Sequence, residues 1–476
     1  MKKKVLASFL ALTLAVGMLA GCGSKKADAT MVGGSYTFHT YASALATNWN
    51  PHTWEMNSDD AVLRMITTPW VDMTIKNSEN QEYQWIFCAA ESATDVTADH
   101  TDDLTKYDVT LPEGESAADQ KENYVYEIKL NKDMKWENGT AINADSYIYS
   151  MKQLLDPDMQ NYRANNYYSG TQQLAGASKY FFSKKENIYV VAQDLSDPSK
   201  LYIDVYDFWN ADASYTDKDG NSAPQYVSVQ DTVVYGENVD DAFSGEQLYT
   251  EYGQYFPDYY PLYTTEKNES FGATYDAVGF YKVDDYTVRY VYQQPVEYNY
   301  ALTDFTSNFL VYEDLYEQCK DKTGDLVTST YGTTLDKTMS YGPYKISSIQ
   351  EGKQMVYVQN ENWYGYQKDK DGNLYSMTDF DVDGKKVQQY ATTSYVIDVM
   401  DDDAAKQAFL KGELSEWSPS AADLTTYSLS DQLYKADETY TERFFLNTNL
   451  DALKNMDAAE GNKNSVVMSN RSKERR

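Results

Sequence analysis

Residues 124–157 read YVYEIKLNKDMKWENGTAINADSYIYSMKQLLDP and contain clear signals for both a strand and a helix. Side chains alternate over residues 124–130, so that one face of the segment is entirely apolar, which is typical of a β-strand. The Asn-Gly pair at 138–139 favours a tight turn, because both residues tolerate a positive φ. Asn143 is a good helix N-cap, and apolar residues follow it at helical spacing until the Asp-Pro pair at 156–157. The stretch predicts a strand, a turn and a helix.

Similar patterns on both sides of this stretch predict further elements of both types. The predicted strands are 35–41, 286–292, 354–359 and 396–398, and the predicted helices are 59–68 and 402–411. The strand at 354–359 is expected to form a hairpin with the segment after Gly342-Pro343, through a turn at 351–353. Gly412 is expected to end the last helix, because glycine readily adopts the left-handed conformation that follows a helix.

The composition is that of an acidic chain with many aromatic side chains. It has 41 basic and 73 acidic residues, which gives a formal net charge of −32. This charge argues against nucleic acid and anionic lipid as partners, because both require a positive surface. A length of 476 residues is enough for two or more domains. The 45 tyrosines and 8 tryptophans suit both core packing and the lining of a ligand cleft.

The N-terminus has the pattern of an export signal. A lysine-rich start precedes the apolar run 5–19, which is too short for an ordinary membrane-spanning helix. Leu-Ala-Gly-Cys at 19–22 resembles the bacterial lipobox, which implies cleavage before Cys22 and a lipid on its thiol. An ordinary secretory signal that contains a cysteine is the alternative. We expect residues 1–21 to be a lipoprotein signal peptide and residues 22–34 to be a lipid-anchored flexible tether.

The sequence lacks the usual motifs of catalysis and of metal binding. Apart from Cys22, only Cys88 and Cys319 are present, without zinc-type spacing; two separate buried thiols are expected, and one disulfide is the alternative. Residues 379–384 begin like a calcium loop, but Tyr390 stands where a glutamate is needed, which favours an acidic surface turn. No P-loop and no GxSxG motif occurs. We expect no catalytic residue, no metal and no cofactor.

Four motifs, in a fixed order, resemble those of the peptide-type solute-binding proteins of ABC transporters (solute-binding protein family 5). The matching segments are the strand–turn–helix stretch with its Trp136, Gly139-Thr140 and Leu155-Asp156-Pro157, the Gly-Pro-Tyr hairpin and Asn-Glu-Asn-Trp-Tyr-Gly of 341–365, Gly412-Glu413-Leu414, and Phe-Phe-Leu-Asn-Thr-Asn at 444–449. The resemblance covers residues 33–470. The family usually has Asp after the third motif, where this chain has Ser415.

The resemblance implies an α/β, two-lobed, periplasmic-binding-protein-like (Venus flytrap) fold with mixed sheets. Lobe I is expected at residues 35–298, with an inserted subdomain at about 54–165. A partial lobe II is expected at 299–476, because the family continues beyond the last motif whereas this chain ends in the basic run 471–476. The hypothesis for this ending is a frameshift or a premature stop.

The resemblance also implies where a ligand would bind. The predicted ligand-binding residues are Trp49, Asn50 and His52 on one wall of the cleft, Tyr162 and Tyr167 on another, and Trp417 from the second lobe. Two of these segments could equally well have a purely structural role. Asn-Pro at 50–51 is a turn signal, and residues 160–170 fit a connecting loop with surface aromatics.

The function that the resemblance implies is capture, not catalysis. An oligopeptide would be enclosed by closure of the lobes and delivered to ABC permease and ATPase subunits. The protein would be a monomer, held by the lipid on Cys22 at the extracytoplasmic face of the bacterial cell membrane. The alternatives are a surface lipoprotein hydrolase, an adhesin, or a non-functional truncated copy.

Overall fold

The structure is a computed structural model, and it describes residues 36–80, 82–184, 268–323 and 326–433, together with the backbone of short strands between residues 187 and 267. The elements that position the site belong to one compact unit, residues 13–428. No helix in the described part of the chain has the length and apolar character needed to cross a membrane. The predicted signal peptide, tether and lipidated Cys22, and the motif at 444–449, lie outside the described residues.

The described part of the chain mixes short helices with many short strands. The helices are α1 (Asn57–Ile66), α2 (Thr101–Lys106), α3 (Ala144–Leu154), α4 (Asn165–Tyr168), α5 (Ala177–Phe181), α6 (Tyr298–Asp304), α7 (Glu313–Gln318), α8 (Asp402–Lys411) and α9 (Ala421–Tyr427). The 3-10 helices are Thr97–Asp99, Ala117–Asp119, Tyr162–Ala164, Tyr275–Ala277 and Leu335–Lys337.

The strands are β1 (Thr37–Ala42), β2 (Val71–Asn77), β3 (Glu82–Phe87), β4 (Ala90–Asp95), β5 (Val125–Leu130), β6 (Asn187–Val190), β7 (Ala192–Gln193), β8 (Leu201–Asp204), β9 (Tyr226–Ser228), β10 (Val234–Gly236), β11 (Thr264–Lys267), β12 (Phe280–Asp284), β13 (Thr287–Val291), β14 (Lys320–Thr323), β15 (Leu326–Ser329), β16 (Tyr344–Gln350), β17 (Gln354–Gln359), β18 (Tyr366–Lys368), β19 (Leu374–Ser376), β20 (Asp379–Val382), β21 (Lys385–Gln388) and β22 (Ser394–Val399). This mixture confirms the predicted α/β class.

The first four-stranded sheet, which we call sheet I, has the strand order β12-β13-β5-β4 and is antiparallel. At its centre Tyr126 lies opposite Tyr290, and Ile128 lies opposite Val288. These side chains and Leu130 are buried in one apolar core. The predicted alternation is therefore confirmed over residues 126–130, because side chains two residues apart leave the same face of a strand.

Helix α3 follows β5 and covers the same core. Its N-cap is Asn143, whose Oδ1 accepts a 3.2 Å hydrogen bond from the backbone N–H of Ser146. Such a cap contributes about 1 kcal/mol to helix stability. Met151 and Leu154 on the inner face are fully buried. The helix ends ahead of the Asp-Pro pair at 156–157, as the sequence predicts.

The second four-stranded sheet, sheet II, has the order β1-β22-β17-β16. The hairpin of β16 and β17 and the helix α8 are where the sequence predicts them, and Gly412 ends α8 with a φ of +79°. Strand β1 pairs in parallel with β22, so that His39 lies opposite Val396. The two strands stand on opposite sides of the lobe boundary predicted at 298/299, and that boundary stays a prediction. Local patterns cannot reveal a pairing between strands so far apart in the sequence.

Aromatic and glycine contacts join connecting segments that lie far apart in the sequence. The Trp136 ring lies edge-on to Tyr341, with 5.0 Å between the centroids. Trp363 Nε1 donates a 3.0 Å hydrogen bond to Thr68 Oγ1. Gly342 lies against the backbone of Thr67, where a Cβ atom would come within 2.4 Å of the backbone nitrogen. The motif residues of the sequence thus hold the fold together where the segments cross.

Cys88 and Cys319 are separate free thiols, as predicted; Cys319 is buried, whereas Cys88 is only half-buried. Residues 379–384 lie in the hairpin of β20 and β21. There Asp379 forms an ion pair with Lys386 at 2.8 Å.

Candidate functional site

The predicted first wall is a tight loop that ends before α1. Asn50 Oδ1 accepts the backbone N–H of His52 at 3.0 Å, and the Asn50 carbonyl accepts the N–H of Trp54 at 3.0 Å. Trp49 is buried and donates its Nε1–H to Thr338 Oγ1 at 2.9 Å. The Asn-Pro turn that the sequence predicts is therefore present, and these contacts fix the positions of its side chains.

His52 is fully buried, and both of its ring nitrogens are hydrogen-bonded. Nε2 lies 2.8 Å from the carbonyl oxygen of Phe309, and Nδ1 lies 3.0 Å from the hydroxyl of Tyr316. Because a carbonyl can only accept, Nε2 carries the proton, and the Tyr316 hydroxyl donates to Nδ1. Burial lowers the pKa of His52 to about 4, and the nearby charge of Lys320 acts in the same direction. His52 is therefore neutral at pH 7 and holds the loop rather than offering a charge.

This geometry predicts a pH-dependent contribution to stability. Below pH 6.5 the unfolded chain protonates His52, whereas the folded chain does so only near its pKa of about 4. The stabilisation by His52 is therefore present above pH 6.5 and is lost as the pH falls toward 4. We expect the stability advantage of the wild type over His52→Gln to shrink by about 2 kcal/mol between pH 7 and pH 5.

Urea denaturation of both proteins at each pH measures this difference. Other titrating groups are common to both proteins and cancel in the comparison. An advantage that stays the same at pH 7 and pH 5 would contradict the assignment of a neutral, buried His52.

Arg163 connects the first wall to the second. Its backbone N–H donates to the His52 carbonyl at 3.0 Å, and its Nε–H donates to the Trp54 carbonyl at 2.7 Å. Its guanidinium carbon lies 3.4 Å from the centroid of the Trp54 ring and 5.1 Å from that of Tyr162. The structure therefore brings Tyr162 next to the loop of Asn50 and His52.

The two predicted tyrosines differ in exposure. Tyr162 is 55% exposed, whereas Tyr167 is buried with its ring centroid 5.9 Å from that of Phe309. Phe309 thus contacts both Tyr167, through its ring, and His52, through its carbonyl. Of the predicted residues in this region, Tyr162 is the one with a large exposed surface, and Tyr167 supports the wall from within.

Trp417 lies in a different neighbourhood. Its ring packs against Phe409 of α8 at 6.0 Å and against Tyr427 of α9 at 5.6 Å between centroids. None of the contacts described for it reaches the loop of Trp49 and His52. Its predicted role as a third wall stays a prediction.

The sequence analysis missed Trp54 and Arg163. Arg163 stands inside the segment 160–170 that was singled out for its tyrosines, and an arginine between aromatics in so acidic a chain is a signal that was available. Trp54 follows the Asn-Pro turn by three residues. Only the folded chain shows that these two side chains stack.

The sequence matches a family model described as bacterial extracellular solute-binding proteins, family 5, over residues 113–460. The chain belongs to this family. A search of the curated proteins finds no match. The family match includes the motifs at 124–157, 341–365 and 412–414, so the resemblance derived from those motifs is confirmed.

Solved structures of solute-binding proteins are similar at low identity. Listeria monocytogenes OppA bound to peptide matches at 13% identity with a TM-score of 0.45, covering 84% of this chain and 49% of that one. The substrate-binding domain of a Bacillus anthracis oligopeptide ABC transporter matches at 13% identity with a TM-score of 0.46, covering 84% and 49%. The Escherichia coli murein tripeptide binding protein MppA matches at 14% identity with a TM-score of 0.44, covering 85% and 50%. The chain spans about half the length of these proteins.

Proposed function

We propose that this family 5 protein captures oligopeptides and delivers them to the permease of an ABC importer, without catalysing a reaction. The observation that carries the proposal is the family match over residues 113–460, which includes most of the described chain. The order of the peptide-type motifs supports a peptide as the solute. Loop 48–54 and segment 161–167 supply a prearranged wall for it.

The wall suits peptides because it combines exposed aromatic surface with fixed polar groups. Tyr162 offers its ring, and Trp54 and Arg163 beside it are partly exposed. Ligand pockets are typically lined by aromatic side chains and a few placed polar groups. Because the hydrogen bonds of His52 and Arg163 already hold the wall, little of the binding free energy is spent on ordering it.

The anchoring, the partners and the lobe closure belong to the same proposal. Cys22 would carry the lipid that holds the protein at the outer face of the cell membrane, where permease and ATPase subunits complete the importer. Mass spectrometry of Cys22 in the native host tests the anchor, and an unmodified thiol would overturn it. Closure would bring a second lobe against the wall formed by Tyr162.

Peptide binding makes a direct prediction. We expect a mixture of short peptides to raise the midpoint of thermal unfolding of the purified chain in a concentration-dependent way, because a ligand that binds only the folded state stabilises it. The same mixture hydrolysed to amino acids is the control for non-specific effects. A midpoint that does not respond to any peptide would contradict the proposed function.

Two tyrosine variants test whether the peptide binds beside Tyr162. Tyr162 and Tyr300 have similar exposure, 55% and 63%, but Tyr300 lies on α6. We expect Tyr162→Ala to weaken peptide binding about tenfold, as loss of an aromatic contact does at a binding surface. Tyr300→Ala should leave the affinity unchanged. Equal effects of the two variants in isothermal titration calorimetry would place the peptide elsewhere.

A further inference from the structure

Arg163 is held in place from three sides. Its Nε–H donates to the Trp54 carbonyl at 2.7 Å, and its guanidinium carbon lies over the Trp54 ring, 3.4 Å from the centroid. Its backbone N–H is used by the His52 carbonyl. An arginine fixed in this way has lost its side-chain freedom before any ligand arrives, and its terminal nitrogens remain as donors.

Arg163 also differs from the other arginines in the described ranges. Arg64 pairs with Asp60 at 2.7 Å, and Arg289 pairs with Glu127 at 3.0 Å. Among the described residues, no carboxylate forms an ion pair with Arg163, although the chain has 73 acidic side chains. A positive charge without an acidic partner in the described part of the chain, beside an exposed tyrosine, is suited to an anionic ligand.

We propose that Arg163, held between Trp54 and Tyr162, binds a carboxylate of the peptide ligand through its terminal guanidinium nitrogens. This inference rests on the proposed function. A guanidinium presents two parallel N–H donors that match the two oxygens of a carboxylate, and such charge-assisted pairs are the stronger hydrogen bonds of proteins. A peptide offers this group at its C-terminus or on an aspartate or glutamate side chain.

The surroundings of Arg163 favour recognition of a carboxylate at short range rather than attraction of anions from a distance. The guanidinium is partly buried against Trp54, where a hydrogen bond to a charged group is worth more than on an open surface. Because the overall charge of −32 repels anions at long range, the preference must come from this local contact. Arg163 would therefore select among peptides rather than speed their encounter.

Three synthetic peptides of one neutral sequence test the inference by calorimetry. One ends in a free carboxylate, one in an amide, and one in an amide with a glutamate in place of an internal residue. We expect the wild type to bind at least one carboxylate-bearing peptide about tenfold more tightly than the neutral amide. A gain for the free acid identifies the C-terminus as the ligand group, and a gain for the glutamate peptide identifies a side chain.

Arg163→Gln should bring this ratio close to one, because the amide side chain has no charge. The ratio is measured within each variant, so a general loosening of the wall weakens all three peptides alike and leaves the ratio unchanged. Arg163→Lys should retain only part of the preference, since it keeps the charge without the planar pair of donors. Arg64→Gln is the matched control and should keep the wild-type ratio.

The outcomes separate the two proposals. Binding of all three peptides with equal affinity, or a preference that survives in Arg163→Gln, overturns the carboxylate site and leaves the proposed function standing. Failure of the wild type to bind any peptide overturns the proposed function, and the inference that rests on it falls as well.

Discussion

Replacing Trp70 by alanine is expected to lower the free energy of unfolding by about 3–5 kcal/mol. Trp70 is only 4% exposed, and its ring lies between 5.1 and 6.0 Å from four other aromatic rings. These neighbours are Tyr147 of α3, Phe280 of β12, Phe305 and Phe309. Removal of the indole leaves a cavity that rings held by separate elements cannot all close. Urea denaturation followed by far-ultraviolet circular dichroism measures the loss without relying on tryptophan fluorescence.

Two controls bracket the effect of Trp70. Trp70→Phe keeps a ring in the cluster and should cost much less than the alanine variant. Tyr300→Ala removes an aromatic side chain that is 63% exposed, so that it should change stability by less than about 0.5 kcal/mol. A loss for Trp70→Ala as small as that for Tyr300→Ala would show that the aromatic cluster is not the centre of the core.

Replacing Gly332 by alanine should cost about 3 kcal/mol and disturb the wall of the candidate site. Gly332 has a φ of +72°, and its carbonyl accepts the backbone N–H of Trp49 at 2.8 Å. A Cβ atom at this position would lie 2.5 Å from the backbone nitrogen of Asn50. Backbone cannot rotate away as a side chain can, so the loop of Trp49 and Asn50 must move.

Gly352 supplies the matched control for Gly332. It lies in the turn between β16 and β17 with a φ of +63°, and a Cβ atom there meets nothing within 4 Å. Gly352→Ala should therefore lower the free energy of unfolding by about 1–2 kcal/mol, which is the cost of holding alanine at a positive φ without any steric clash. Urea denaturation separates the two variants, and peptide affinity should fall only in Gly332→Ala. Equal losses of stability would mean that the close contact with Asn50 is absent in solution.

Much of the local structure could be predicted from short stretches of sequence. The strand β5, the turn at Gly139, the cap at Asn143 and the end of α8 at Gly412 all lie where the patterns place them. Each depends on residues close in the chain: alternation, side-chain capping, and the freedom of glycine at positive φ. Helix α1, Asn57–Ile66, begins and ends two residues before the predicted bounds. It begins earlier because the Asp59 carboxylate accepts the backbone N–H of Met56, and it ends earlier because Thr67 is already extended.

Only part of the candidate site could be predicted from the sequence. Asn50 and His52 could be singled out from a turn signal and a family resemblance. The burial of His52, however, depends on Phe309 and Tyr316, which lie more than 250 residues further along the chain. Tyr162 and Tyr167 look alike in the sequence, but one is exposed and the other is packed against Phe309. No local pattern distinguishes them, because exposure depends on what the rest of the chain places over each ring.

The α/β class, the strand–turn–helix unit around Asn143 and the family could all be predicted from the sequence, because they follow from local backbone preferences and from motifs in a fixed order. The folded chain was needed to show that β1 pairs with β22, that His52 is neutral and buried, and that Arg163 lies over Trp54 without a carboxylate partner among the described residues. These features arise from contacts between distant segments, whose free energy depends on burial, register and the shape of the packed neighbours.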